Sequence, residues 1–254
     1  MRTAIITIAG ISSRFNEGIP EDKKVLKAIY TEGGPEDTLL YRLLVKCSYA
    51  DRIVIVGGYK FEDLEIFIDT YLRSKFPQIV LVRNDHFSDL GSGYSLYLGI
   101  KEASDPECDE ILFVEGDLDI DDESFGNVVS SPLSVLTYTN ETIYANKAVV
   151  LYRNGDGRYK YAFNSSHGLL SIDEPFSCIL NSGQTWKFTD IGALFKASEE
   201  SYSANPADTN LGIIQRYVDL TRTEDIELIG LLRWTNCNTR EDYKKIKGYW
   251  EAGS

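Results

Sequence analysis

Four short apolar runs in the first half of the chain, at 3–9, 52–56, Ile79–Arg83 and Glu110–Glu115, constrain the fold more than any other feature. They are dominated by Ile, Val, Leu and Phe and are too short for core helices, so they are expected as strands buried on both faces. The segments between them have helical spacing. Residues 38–50 carry Leu39, Leu40, Leu43, Leu44, Cys47 and Ala50, and 62–75 places Leu64, Phe67, Ile68 and Leu72 on one face. A third helix is expected over 95–104. Strands and helices alternating in this way demand crossover connections, hence parallel pairing with helices on both faces of one sheet. The fold class expected is α/β: a Rossmann-like three-layer α/β/α arrangement with a mixed, mostly parallel central sheet. In such sheets ligands bind at the carboxyl ends of the strands.

Beyond about residue 130 the pattern changes. Residues 135–138, 147–152 and 159–164 read as short strands of more antiparallel type, with Asn154-Gly-Asp-Gly157 as a turn. Helices are expected at 193–200 and 209–222, then a strand at 226–235 and a helix at 239–251. Thr239-Arg-Glu-Asp242 has the makings of that helix's N-terminal cap. No repeat or low-complexity linker divides the chain, so one domain over 1–254 is expected.

A 43% hydrophobic and 26% charged composition over 254 residues allows a sizeable core and argues against disorder. The net charge of −13 argues against nucleic acid as a partner. The longest apolar runs are too short to span a bilayer, so no membrane partner is expected. Met1-Arg-Thr-Ala-Ile-Ile6 lacks a signal-peptide layout, which makes cytoplasmic location the expectation. Cys47, Cys108, Cys178 and Cys237 are scattered with no Cys-x-x-Cys pair, so neither zinc nor a disulfide framework is indicated.

Chemistry-bearing residues gather where the expected strands end. Gly10-Ile11-Ser12-Ser13-Arg14 follows the first strand and offers backbone N–H groups for phosphates, with Arg14 suited to bidentate binding. Lys23 and Lys24 follow in an otherwise acidic chain. Asp117 and Asp119 follow the fourth strand, where carboxylates can hold Mg²⁺ while substrate phosphates complete its shell. Asp121 and Asp122 come directly after, so a plain polar loop is the competing reading. Gly91 and Gly93 permit close backbone approach to a ligand, and Ser95 is placed to cap the next helix. His86 and His167 stand without a Gly-x-Ser-x-Gly elbow, and neither a Walker A loop nor a complete Gly-x-Gly-x-x-Gly pattern is present.

Taken together and in order, these segments resemble the nucleotidyltransferase superfamily with a glycosyltransferase-A-like fold. The nearest branch resembles bacterial phosphocholine cytidylyltransferases and sugar-phosphate nucleotidyltransferases. The matching segments are Ala9-Gly10-Ile11-Ser12-Ser13-Arg14-Phe15, Lys23-Lys24-Val25-Leu26, Ile53-Val-Ile-Val-Gly-Gly58-Tyr59, Gly91-Ser92-Gly93-Tyr94-Ser95-Leu96, Asp117 with Asp119, and Asn238-Thr-Arg-Glu-Asp-Tyr243. Ser12 stands where the family has its second loop glycine, and Asn238 where it has a second metal ligand. The resemblance implies a Mg²⁺-dependent transfer of CMP from CTP to a small phosphorylated acceptor. It implies a nucleotide-binding half over 1–125 and an acceptor-binding half over 126–254. Arg14 and Lys24 are implied as catalytic groups. Ala9 to Ser13, Gly58, Tyr59, Gly91, Ser92 and Ser95 are implied at the nucleotide, and Asp117, Asn238 and Asp119 at the metal. For the acceptor we expect Trp186, Lys187 and His167, with Trp186 offering a cation–π face, a core tryptophan being the competing reading of that residue. A sugar-1-phosphate nucleotidyltransferase using UTP, GTP or dTTP is the alternative, and a glycosyltransferase reading Asp117-Leu-Asp119 as its metal motif is a further one. Sixteen tyrosines are compatible with a homodimer, though nothing in the sequence requires one.

Overall fold

The computed structural model describes residues 1–164 and 168–252. The four apolar runs form β1 (Arg2–Ile8), β2 (Arg52–Gly57), β3 (Ile79–Arg83) and β4 (Glu110–Glu115). Between them lie α1 (Leu39–Lys46), α2 (Phe61–Phe67), which continues through a π-helical turn over Ile68–Leu72, and α3 (Ser92–Glu102). Then come β5 (Leu118–Ile120), α4 (Asp122–Ser130), β6 (Ser134–Thr139), β7 (Val150–Asn154), β8 (Tyr159–Ala162) and β9 (Phe176–Phe188). The chain continues through α5 (Ile191–Ala204), α6 (Asn210–Leu220), β10 (Ile226–Leu231), β11 (Trp234–Asn236) and α7 (Arg240–Ala252).

The main sheet runs β10-β6-β9-β4-β1-β2-β3, with β7 joined to β9 and β8 to β7. Strands β4, β1, β2 and β3 are mutually parallel, as the crossover argument requires. Strand order reverses at β1, which has β2 on one side and β4 on the other. That is the switch point at which open α/β sheets form their ligand crevice. Side chains alternate across these strands. Ala4, Ile6 and Ile8 face one core layer with Leu40, Leu43, Leu44 and Leu64. Ile5, Val54, Val56 and Phe113 face the other, against Leu96, Ile100 and Ile214. The mixed, three-layer α/β/α expectation matches this architecture.

Three differences from expectation have physical causes. Residues 176–188 form the longest strand of the sheet, antiparallel to both β4 and β6, where no strand was expected. Its pattern is broken at Gly183 and at Gln184, whose φ is +52°, beside an irregularity in the β6–β9 register. A Cβ on Gly183 would lie 2.6 Å from both Thr137 and Leu231, so the break is enforced by packing. The acidic run at 121–122 opens α4: the Asp121 carboxylate accepts from the Ser124 N–H. The single strand expected over 226–235 divides into β10, parallel to β6, and β11, antiparallel to β5.

The C-terminal helix bears on the cleft described next. Thr239 and Asp242 cap α7 reciprocally, the Asp242 N–H donating to the Thr239 hydroxyl and the Thr239 N–H to the Asp242 carboxylate. Tyr243, Ile246 and Trp250 then pack with Phe15 and Leu39 in a small separate core. Phe15 anchors the loop after β1 in that core.

Candidate active site

The carboxyl ends of β1 and β4 open into a cleft of about 270 Å³, at the small end of the roughly 300–1,000 Å³ spanned by ligand pockets. One wall is the loop after β1. Gly10 lines the cleft and has no atom within 4 Å of where a Cβ would lie. Ser12 has φ +55°, a left-handed conformation that costs a non-glycine residue roughly 1–2 kcal/mol. Asn16, only 2% exposed, holds the loop in place. Its amide donates to the Ser12 and Val25 carbonyls, and its oxygen accepts from the Val25 N–H. The loop is thereby tied to the segment carrying the lysines.

That segment brings Lys27, and not Lys24, into the cleft. The Lys24 ammonium turns to Glu21, 2.5 Å away, and the hydrogen bond it donates to that carboxylate raises its pKa. The backbone is extended at Lys24 and Leu26. Side chains three apart on an extended chain point to opposite sides, so the two lysines diverge. Lys27 lies between buried Leu26 and Ala28 and donates to the Asp117 carboxylate at 2.7 Å and to the Cys237 carbonyl at 3.0 Å. A lone cation between two apolar residues was the sequence signal for it. The expectation for Lys24 is corrected accordingly.

Asp117 sits in the turn between β4 and β5. Gly116 makes that turn possible, because a Cβ there would lie 1.9 Å from the Ile8 side chain. The Cys237 N–H donates to the Asp117 carbonyl at 2.7 Å, which sets Asn238 beside it. The Asn238 side-chain oxygen in turn accepts from Arg14 at 2.7 Å. Arg14, Lys27, Asp117 and Asn238 thus assemble from four distant stretches. Asp117 Oδ1 is buried and has no hydrogen-bond partner, whereas Oδ2 accepts from Lys27. An orphaned carboxylate oxygen next to an amide oxygen fits a hard divalent cation. Among the described residues no three His, Cys, Asp or Glu side chains cluster as a complete cage, so phosphate and water oxygens would supply the other ligands.

Asp119 does not join this group. It is 2% exposed, with one carboxylate oxygen accepting from the Trp250 indole at 2.8 Å and the other engaged by Arg233. A strand alternates its side chains, and β5 points this one at α7. The expected metal role for Asp119 is therefore corrected to a structural tie.

The far wall of the cleft includes Asn84, Phe87, Leu90 and the start of α3. Ser95 lies one turn inside α3 and accepts from the buried Asn84 amide at 2.9 Å, so it does not cap the helix. Gly91 and Gly93 serve neighbouring backbone: a Cβ on either would come within 2.8 Å of the Asp208 carbonyl. Ala9, Gly10, Ser12, Gly91, Ser92 and Ser95 line the cleft, while Ile11, Ser13, Gly58 and Tyr59 lie outside its lining. Glu115 closes the floor, its Oε1 accepting from Asn210 at 2.6 Å. Burial, then the Asp117 charge, push its carboxyl up to about 7. Neither Glu115 nor Asn210 stood out in the sequence.

The residues expected at an acceptor are elsewhere. Trp186 is fully buried, stacked on Phe113 at 5.2 Å and donating to the Tyr161 hydroxyl. Lys187, 2% exposed, donates to the carbonyls of Val129 and Ser131 and pairs with Glu110 at 2.9 Å. Both expectations are corrected: β9 carries these side chains into the two core layers. His167 lies outside the described residues.

Similar solved structures include several nucleotidyltransferases. CTP:phosphocholine cytidylyltransferase from Streptococcus pneumoniae aligns with a TM-score of 0.65 at 17% identity, covering 98% of this chain and 99% of that one. The inositol-1-phosphate CTP transferase from T. maritima aligns with a TM-score of 0.67 at 17% identity, covering 97% and 95%. A UDP-glucose pyrophosphorylase solved with UDP-glucose aligns with a TM-score of 0.68 at 13% identity over 100% of both chains. At these identities the likeness establishes the fold, which is the mixed, mostly parallel α/β arrangement expected from the sequence. No curated protein matches the sequence. No helix among the described residues is long and apolar enough to cross a membrane. A family model described as "Domain of unknown function (DUF6564)" matches residues 23–250, which takes in the cleft lysine, the β4 turn and α7, and the chain belongs to that family.

Proposed function

We propose that this protein transfers a nucleotidyl group, with CMP favoured, from a nucleoside triphosphate to a small phosphorylated acceptor. The observation that carries the reading is the Lys27–Asp117 pair at the β1/β4 switch point. The pair faces an open glycine loop and leaves one Asp117 oxygen without a partner. A site like this can hold a polyanion and a divalent cation together.

An oxygen of the acceptor phosphate attacks the α-phosphorus. The bond from that phosphorus to the β-bridging oxygen breaks, pyrophosphate leaves with its electron pair, and a new phosphoanhydride forms. Such a transfer needs positioning and charge neutralisation more than covalent help. Backbone N–H groups over 10–13 and the Arg14 guanidinium hold the β- and γ-phosphates. Lys27 neutralises the α-phosphate and the incoming acceptor, taking the role the sequence had suggested for Lys24. Asp117 and Asn238 would hold Mg²⁺, which neutralises phosphate charge when bound. Lys27 bonds to Asp117 and Arg14 to Asn238, so the cations suited to phosphate and the oxygens suited to the metal form one contiguous set.

CTP is favoured by the sequence resemblance and by the CTP-dependent enzymes among the similar structures. A glycosyltransferase reading loses support because Asp119 is sealed away from the cleft. The test is pyrophosphate release with Mg²⁺, offering CTP, UTP, GTP, ATP and dTTP in turn against a pool of small phosphorylated metabolites. Release with CTP and a phospho-alcohol or phosphonate is expected. Release only with another triphosphate and a sugar phosphate would replace this reading with the sugar-1-phosphate alternative. No release, and no binding of any triphosphate, would end both.

A further inference from the structure

We infer that Glu115, clamped by Asn210, is the residue that selects ribonucleotides, accepting a hydrogen bond from a ribose hydroxyl of the bound triphosphate; this rests on the nucleotidyl-transfer reading above. The argument begins with position. Glu115 is the last residue of β4, directly opposite Thr7 of β1, and both line the cleft. The polyanion end of the cleft is set by Gly10, Ser12, Lys27 and Asp117. A carboxylate repels phosphate, so the part of a nucleotide that lies on Glu115 has to be an uncharged hydrogen-bond donor. A ribose meets that condition, since its vicinal hydroxyls donate and carry no charge.

The side chain is also held ready. Asn210, 4% exposed, donates its amide to Glu115 Oε1 at 2.6 Å. The Asn210 backbone N–H donates to the Ser92 hydroxyl at 3.1 Å, and Ser92 lines the cleft. The first turn of α3 thereby braces the start of α6, and α6 holds the carboxylate through Asn210. With Oε1 committed to Asn210, Oε2 is the acceptor left for a ligand. A hydrogen bond to a charged acceptor is worth roughly 1.5–3 kcal/mol, or about tenfold to a hundredfold in affinity. Apolar Phe87 and Leu90 on the far wall suit the base, which leaves the sugar to the floor between base and phosphates.

The test is equilibrium binding, without acceptor, of CTP, 2′-deoxy-CTP and 3′-deoxy-CTP in the presence of Mg²⁺, repeated with UTP. Wild-type protein is expected to bind at least one deoxy form about tenfold or more weakly than CTP. Glu115→Ala should bring that ratio to within about threefold by weakening CTP alone. Glu115→Gln keeps an acceptor for Asn210 and guards against misfolding, and it should give an intermediate ratio. Equal binding of ribo and deoxy forms by wild type overturns the inference. So does an equal loss of both in Glu115→Ala, which would mean a metal-binding or purely structural role. A changed CTP-to-UTP preference with an unchanged ribo-to-deoxy ratio overturns it in favour of base reading. Wild type that binds no triphosphate at all sinks the underlying reading first.

Discussion

The two ends of β4 each carry a lysine–carboxylate pair, and they differ in what is left over. At the amino end Glu110 pairs with Lys187, whose ammonium also donates to two main-chain carbonyls and is 2% exposed. At the carboxyl end Asp117 pairs with Lys27, but one Asp117 oxygen is buried without a partner and the cleft stays open beside it. Both pairs look alike as residue types. A saturated pair is a structural tie. A pair with an unfilled valence, at the end of a sheet where ligands bind, is a site in waiting.

The largest expected effect sharpens this contrast. Lys27→Ala should lower pyrophosphate release by on the order of 10³-fold, as loss of a preorganised cation does at other charge-developing sites. Its melting temperature should stay close to that of wild type. Near-normal turnover would break the comparison, and Lys24→Ala is the matched control expected to keep turnover within a fewfold. Lys187→Met should do the reverse. It strands the Glu110 carboxylate and two carbonyls, and should cost about 3 kcal/mol or more in urea unfolding with the KM for nucleotide unchanged. A stable Lys187→Met protein with a raised KM for the acceptor would return Lys187 to the acceptor site.

A third expectation concerns pH in the metal-free protein. The Glu115 carboxyl is raised from 4.5 to about 7, by burial first and by Asp117 second. The folded state then binds more protons than the unfolded state between those values, so stability falls as pH rises across that window. Glu115→Gln should flatten the fall, which thermal melts from pH 4.5 to 7.5 would record. A slope unchanged by the substitution would assign it to another group. The smallest effect is at Ser12. Ser12→Gly relieves left-handed strain but adds freedom to the unfolded chain, so stability should shift by less than about 1 kcal/mol. Triphosphate affinity should hold or improve, and a clear loss would mean that the Ser12 hydroxyl touches the ligand.

The parallel half was legible because its signals are local. Runs buried on both faces announce strands, and β3 and β4 begin and end where the residues alone place them. The Thr239–Asp242 cap and the glycine loop are likewise contained within a few residues. Strand β9 was not legible. Its position between β4 and β6 is a long-range pairing, and Gly183 breaks the alternation that would have betrayed it. With no strand expected over 176–188, Trp186 and Lys187 looked like ligand contacts, although their polar atoms are satisfied by residues up to 77 positions away, from Glu110 to Tyr161.

The sequence by itself determined the α/β alternation, the strand ends at which chemistry collects, and the candidacy of Arg14, Asp117 and Asn238. Only the tertiary structure placed Lys27 rather than Lys24 at the cleft, sealed Asp119 beneath α7, and joined Glu115 to Asn210. The reason is physical. Periodicity and turn chemistry are properties of neighbouring residues. Whether a charge is saturated or left open depends on partners such as Cys237 for Lys27 and Trp250 for Asp119, which the folded sheet alone brings within reach.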